Sequence, residues 1–235
     1  GTIAIGVVLV LLLGEIDLSV GSMAGLSAAV TAVTFVNRGM PVVVAVIAAL
    51  AVGAVVGFLY GTLFNRFGVP SFVITLAGLL ALLGLQLIVL GTDGTINIPF
   101  NSGLVQFANG KFLPPVVAYL LAIIVGAVVL VTGMRSAAKR RDAGLSSSPT
   151  SALAVKAGLL ALGIAIVAYV LNRDRGVSYM VLTFVTLVVI MDFFIRRTRW
   201  GRSVMAVGGN VEAARRSGIN VRGVYLSVFM LCSTF

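Results

Sequence analysis

Glu15 and Asp17 stand two residues apart in the string G-E-I-D-L-S-V-G-S at 14–22, with Ser19, Gly21 and Ser22 close behind. Apolar runs at 1–13 and 22–36 flank them, and neither run is a comfortable full membrane span. A carboxylate facing lipid costs about 2.5–3.5 kcal/mol on insertion scales. The segment therefore reads as an interrupted helix held within protein, a form tolerated where it lines a cavity. Asp17 has two compatible roles. As an intramembrane carboxylate it would belong to a translocation route or a gating network. As a capping residue it, or Ser19, would bond the free amides of the following helix, and capping is the favoured role. Capped helix breaks are a common way to build a transporter site. Thr75, Gln86 and Asn65 are the few other polar side chains of the interior, and Thr75 and Gln86 are the candidate polar groups of a pathway. So uncharged an interior suits a neutral polyol, which needs hydrogen bonds and a wet passage rather than compensating charge.

Catalytic chemistry finds no support. The chain has no histidine and one cysteine, Cys232, in an apolar stretch. No Ser-His-Asp triad, no Cys/His metal site and no internal disulfide can be assembled from that set. The phosphate loop G-x-x-x-x-G-K-[ST] is also missing: Gly110-Lys111 is followed by Phe112 and lacks the first glycine. Any ATP hydrolysis must come from another chain, and no cofactor or metal is expected. Asp192 stands four residues before Arg196, which predicts a local i,i+4 ion pair.

The elements that must position these residues follow from composition. Sixty per cent of residues are apolar and ten per cent charged, against roughly 25% charged in soluble domains. A water-facing surface cannot be built from so few charges. Apolar segments at about 1–13, 22–36, 41–64, 70–91, 113–134, 154–171, 178–195 and 225–235 show no polar alternation, so helices are favoured over barrel strands. The predicted fold is an all-α, polytopic transmembrane helical bundle with about 7–8 membrane segments. Twelve of the seventeen Lys and Arg residues lie at 135–156 and 196–224. Basic residues gathered in particular loops mark the cytoplasmic side; no basic, aromatic-interleaved face suggests nucleic acid. With 196–224 and 135–153 inside, 172–177, 92–112 and 37–40 fall outside and 65–69 inside. Residues 135–153 read as a basic, flexible cytoplasmic linker. Gly53, Gly57 and Gly61 recur every four residues, a small-residue face on which helices approach closely in lipid; plain packing is favoured over a sliding pair.

The loop 196–224 carries helix signals. Asn210 is a plausible N-cap, Glu212 sits in the first turn and Gly218 is a natural stop, predicting a short helix at about 211–217. It would either dock into a partner or rest on lipid headgroups. At this point the sequence resembles a known family. G-G-N-V-E-A-A-R-R-S-G-I-N at 208–220 is similar to the cytoplasmic coupling loop of bacterial ABC-type monosaccharide importers, the ribose/xylose/arabinose permease group. G-E-I-D-L-S-V-G-S at 14–22 and V-P-S-F-V-I-T-L-A-G at 69–78 resemble two further segments of that group, in the same order. The long basic stretch 135–153 looks most like the xylose type. Glu15 departs from the pattern, where glycine is usual.

The resemblance implies a multi-pass permease subunit of the bacterial inner membrane, with 1–235 a single transmembrane domain of ABC importer permease type. The chain begins inside one apolar run and stops about eleven residues into another, so it is read as cut at both ends. Expected partners are separate ABC ATPase subunits, a periplasmic sugar-binding protein, a second permease copy in a homodimer, membrane lipid and the monosaccharide, D-xylose being favoured. The matching coupling-loop positions are Gly208, Gly209, Asn210, Glu212, Ala213, Ala214 and Gly218. Rival readings are an ATP-independent carrier or channel for a small neutral solute, and a membrane scaffold that transports nothing.

Overall fold

A computed structural model of the chain describes residues 1–147 and 149–235. Ser148, inside the stretch read as a linker, lies outside the described residues. The described residues form eleven α-helices: α1 (Thr2–Leu12), α2 (Val20–Ala32), α3 (Val42–Phe67), α4 (Ser71–Leu90), α5 (Gly103–Val105), α6 (Pro115–Asp142), α7 (Thr150–Asn172), α8 (Tyr179–Arg197), α9 (Arg199–Gly209), α10 (Val211–Arg216) and α11 (Val221–Thr234). Among the described residues the only β pairing is an isolated bridge between Phe112 and Ser178.

Among the described residues six helices are long and apolar enough to cross a membrane, and α1 and α11 are shorter apolar helices. One correction concerns the run at 22–36. A π-helical turn at Val33–Asn37 continues α2, and the combined Val20–Asn37 is an 18-residue span candidate. α3 has 26 residues, about 39 Å at 1.5 Å per residue, enough for roughly 30 Å of hydrocarbon. Four of the long helices start directly behind a proline: Pro41, Pro70, Pro114 and Pro149 occupy the N-cap positions of α3, α4, α6 and α7. The ring bars helix upstream, and its missing N–H costs nothing at a helix start.

The chain divides into two compact units. The first comprises residues 1–105 and 184–235. Its core is built from Leu9, Val10, Met23, Leu26, Val56, Tyr60, Val204, Val207, Val228 and Phe229, while Val43, Leu80 and Ile88 point outward. Such outward apolar surface needs no partner in lipid, whose tails are as apolar as leucine. Gly53, Gly57 and Gly61 face α11 directly. A Cβ on Gly61 would lie 2.8 Å from Leu226 Cα, and on Gly57 or Gly53 it would run into the backbone of Phe229–Met230 or Ser233–Thr234. Plain close packing explains the ladder.

The second unit comprises residues 106–183. Ala118, Ala122 and Gly126 of α6 are buried, as are Ala157 and Ala168 of α7. A Cβ on Gly126 would sit 2.8 Å from Ala161 Cβ, so this pair uses the same small-residue seam. α6 continues through Asp142. Residues 135–142 of the expected linker are therefore helical, and the described non-helical residues ahead of α7 are 143–147 and Pro149.

Candidate functional site

The segment between α1 and α2 is built one backbone group at a time. α1 ends in a Schellman turn: Gly14 N donates to Leu11 O at 2.9 Å and Glu15 N to Val10 O at 3.2 Å. Gly14 takes a φ of 78° there, a conformation that glycine adopts without steric cost. The next residues are not helical, and exposure alternates along them. Ile16 and Leu18 are exposed, whereas Asp17 and Ser19 are buried, at 7% and 1% exposure. Apolar residues thus face outward and polar ones face protein.

α4 supplies what the broken helix lacks. Ile16 N donates to Ser71 Oγ at 3.2 Å, and Leu18 N to Thr75 Oγ1 at 3.1 Å. Thr75 Oγ1 in turn lies 2.9 Å from Ser71 O and 3.4 Å from Ile16 O. Backbone at membrane depth is tolerated only when its polar groups are satisfied in this way. Asp17 Oδ1 accepts from Ser19 N at 2.8 Å and from Ser19 Oγ at 2.7 Å. Its Oδ2 lies 3.5 Å from Cys232 Sγ of α11, which donates to it. The expected capping takes a different form. Ser19 is the N-cap of α2 but makes no side-chain bond to a helical amide; Asp17 instead fixes the Ser19 amide just ahead of the helix. Ser22 Oγ donates back to Ser19 O at 2.8 Å.

Among the residues expected at the break, Asp17, Ser19 and Ser22 come together, joined by Thr75, whose hydroxyl is spent on the break. Ser71 and Cys232 belong to the same cluster and were not singled out in the sequence; Ser71 lies inside the V-P-S-F-V-I-T-L-A-G string that could have indicated it. Tyr60 is buried against Gly78, with Ser19 and Asp17 as its neighbours. Gly21 is exposed and stands apart. Gln86 packs against Gly25 of α2, about 16 Å further along α4 than Thr75 at 1.5 Å per residue. Asn65 Nδ2 donates to Arg222 O at 3.0 Å, tying α3 to α11.

The segment after α8 holds two short helices rather than one. α9 was not anticipated from the sequence. Its N-cap Thr198 accepts from Gly201 N at 3.1 Å, and Gly201, Val204 and Val207 form its buried face. Trp200 Nε1 donates to Ser227 Oγ of α11 at 2.8 Å. Gly208 lies against the Leu12 carbonyl, at the end of α1. The alternation of glycine and valine with exposed arginines at 199–208 is the signal that marks this helix.

α10 matches its expected place. Asn210 Oδ1 accepts from Ala213 N at 2.9 Å, and Gly218, with φ of 80°, follows its end. Glu212 in the first turn suits the positive end of the helix dipole, and Arg215 and Arg216 approach it at 3.6 and 3.7 Å. Ala214 is buried at 3% exposure. Glu212, Ala213, Arg215 and Arg216 are exposed, so one side anchors the helix and the others stay open. Gly209 and Asn210 are exposed as well. The Asp192–Arg196 pair forms as expected, at 2.6 Å between Oδ1 and Nε. No group of His, Cys, Asp and Glu among the described residues could hold a metal ion.

The model of the family described as "Branched-chain amino acid transport system / permease component" matches residues 1–235. The xylose transport system permease protein XylH of Escherichia coli K12 is 35% identical over 231 residues, covering 98% of this chain and 58% of that protein. XylH of Haemophilus influenzae is 36% identical over 232 residues, covering 98% of this chain and 61% of that protein. The ribose import permease protein RbsC of E. coli K12 is 28% identical over 229 residues, covering 97% and 52%. The chain thus spans about three fifths of these XylH proteins and about half of RbsC. No solved structure matches.

Proposed function

The chain belongs to the family of branched-chain amino acid transport system permease components, as a multi-pass permease component of the bacterial inner membrane, and from that premise we propose that it forms the membrane-spanning part of an ATP-binding-cassette importer for a neutral monosaccharide. D-xylose is the favoured sugar, because the xylose permeases share more of the sequence than the ribose permease does. The observation that carries the reading is α10: a capped helix anchored by Ala214, with its remaining faces open for a partner.

In this reading the eight apolar helices provide the membrane segments, and 196–224 and the 135–153 region face the cytoplasm. α10 docks into a separate ATPase subunit, with Gly208, Gly209, Asn210, Glu212, Ala213, Ala214 and Gly218 forming and stopping the docking element. A second permease copy completes the passage, and a periplasmic binding protein delivers the sugar. ATP binding closes the ATPase pair and displaces α10. The ATPase contributes by contacting one state of the permease better than the other. Asp17, Ser19 and Ser22 hold the broken helix that responds, and the near absence of interior charge suits a neutral cargo.

The test is binding-protein-dependent uptake by the full-length assembly, using a panel of labelled pentoses and hexoses. Xylose uptake that requires ATP hydrolysis is expected, and changing Glu212 and Gly218 together should uncouple uptake from ATP hydrolysis. Uptake by this subunit alone, driven by a solute or ion gradient, would replace the importer with a carrier. Normal uptake by the double variant would remove α10 from the mechanism.

A further inference from the structure

The broken helix meets α11, the helix that follows α10, at a buried contact. We propose that Asp17 is a positioning residue through which displacement of α10 and α11 reaches the broken helix, an inference that rests on the importer reading above.

Only residues 217–220 separate α10 from α11, so α11 is the first membrane element to receive motion of α10. The side of α11 toward α3 is set by backbone contact at Gly53, Gly57 and Gly61, which leaves little room for it to bend locally. Its last turns grip the broken helix at two points. A Cβ on Gly6 of α1 would lie 2.8 Å from Cys232 O and 2.9 Å from its Cα, so the two backbones touch there. Eleven residues further along the chain, Asp17 Oδ2 meets the Sγ of the same Cys232 at 3.5 Å.

The same carboxylate takes the amide and hydroxyl of Ser19 on Oδ1, at 2.8 and 2.7 Å. One buried side chain therefore holds the turn before α2 and the end of α11 together. No ion pair reaches Asp17 among the described residues, so the hydrogen bonds to Ser19 and Cys232 are its polar contacts. In a low-dielectric interior each such bond counts for more, and loss of one is felt by the others. The Ser19 bonds alone would shape the turn. The Cys232 bond adds the link to the segment that docks, and a contiguous physical connection of this kind is what coupling between sites requires.

The experiment measures sugar transported per ATP hydrolysed in the full-length assembly, for Cys232→Ala, Cys232→Ser, Asp17→Asn and the Asp17→Asn/Cys232→Ala pair. Cys232→Ala should lower the ratio roughly fivefold or more with ATPase activity retained. Cys232→Ser, which keeps a donor, should restore it. Asp17→Asn keeps an acceptor for Ser19 but presents an amide N–H to Cys232, so it should uncouple in the same way, and the double variant should be no worse than either single one. A loss of fold would lower ATPase activity and uptake together; Cys232→Ser and Asp17→Asn, being close in volume, then carry the decision. An unchanged ratio in Cys232→Ala, failure of Cys232→Ser to restore it, or additive losses in the pair would each overturn the proposal while leaving an active importer. Wild-type assembly with no ATP-driven uptake would instead overturn the importer reading, and this inference with it.

Discussion

At the level of single residues, the hydroxyl of Thr75 accepts the Leu18 amide while its own proton goes to Ser71 O, the nearest of its three carbonyls. Valine has nearly the same shape and neither function. Thr75→Val leaves a backbone N–H without a partner where no water can replace it, at a cost of about 1–3 kcal/mol. Thermal unfolding of the full-length protein in lipid nanodiscs should show a clear drop for Thr75→Val and a much smaller one for Thr75→Ser. Equal behaviour of the two would show that the hydroxyl is not needed there. The Asp192–Arg196 pair is the opposite case. Its side chains are 55% and 74% exposed, and exposed i,i+4 pairs contribute about 0.3–0.5 kcal/mol. Asp192→Ala should leave the unfolding temperature within a degree or two of wild type.

For whole elements, the seam between α3 and α11 depends on the absence of side-chain atoms at one edge. Gly57→Ala forces two helix backbones apart, and overpacking of this kind costs about 1–3 kcal/mol. Gly84 on α4 has nothing within 4 Å of its Cβ position, so Gly84→Ala serves as the control. Fluorescence-detected size exclusion after heating should separate them, with Gly57→Ala lost at lower temperature and Gly84→Ala unchanged. α10 depends on its cap. Removing an Asn N-cap costs about 1 kcal/mol, so Asn210→Ala should raise amide hydrogen exchange across 211–216 roughly fivefold. Asn210→Asp, which still accepts from Ala213 N, should keep exchange slow. Six residues cannot sustain a helix without such local and tertiary help.

For the whole molecule, the basic loops predict one orientation. With the native Cys232 replaced by serine, a cysteine placed at Ser146 or Arg215 should react with a membrane-impermeant maleimide only after the cells are opened, and one at Asp174 or Ile96 in intact cells. Labelling of position 215 from outside would invert the topology. The segments behind this prediction were largely legible in advance. Eight apolar runs correspond to eight apolar helices, because in lipid the length of an uninterrupted apolar run and the demand for internal hydrogen bonding leave the helix as the simplest answer. The prolines ahead of α3, α4, α6 and α7 mark their starts, and the run at 22–36 reads as too short because the helix also takes in Val20 and Gly21 ahead of it and Asn37 behind it.

What the sequence settled alone was the solvent, the kind of element, the break at 14–19 and the capped helix at α10, since each follows from composition or from residues a few positions apart. What it left undecided was which face of each span packs. Helices surrounded by lipid are apolar on every side, so no apolar stripe points to the neighbour, and the glycine ladder says that a close partner exists without saying that it is α11. The tertiary structure alone decided that Ser71 and Thr75, more than fifty residues from the break, satisfy its backbone, and that Cys232, 215 residues from Asp17, closes the contact. Hydrogen bonds across such separations depend on how helices are laid side by side, which the local pattern of any one helix does not encode.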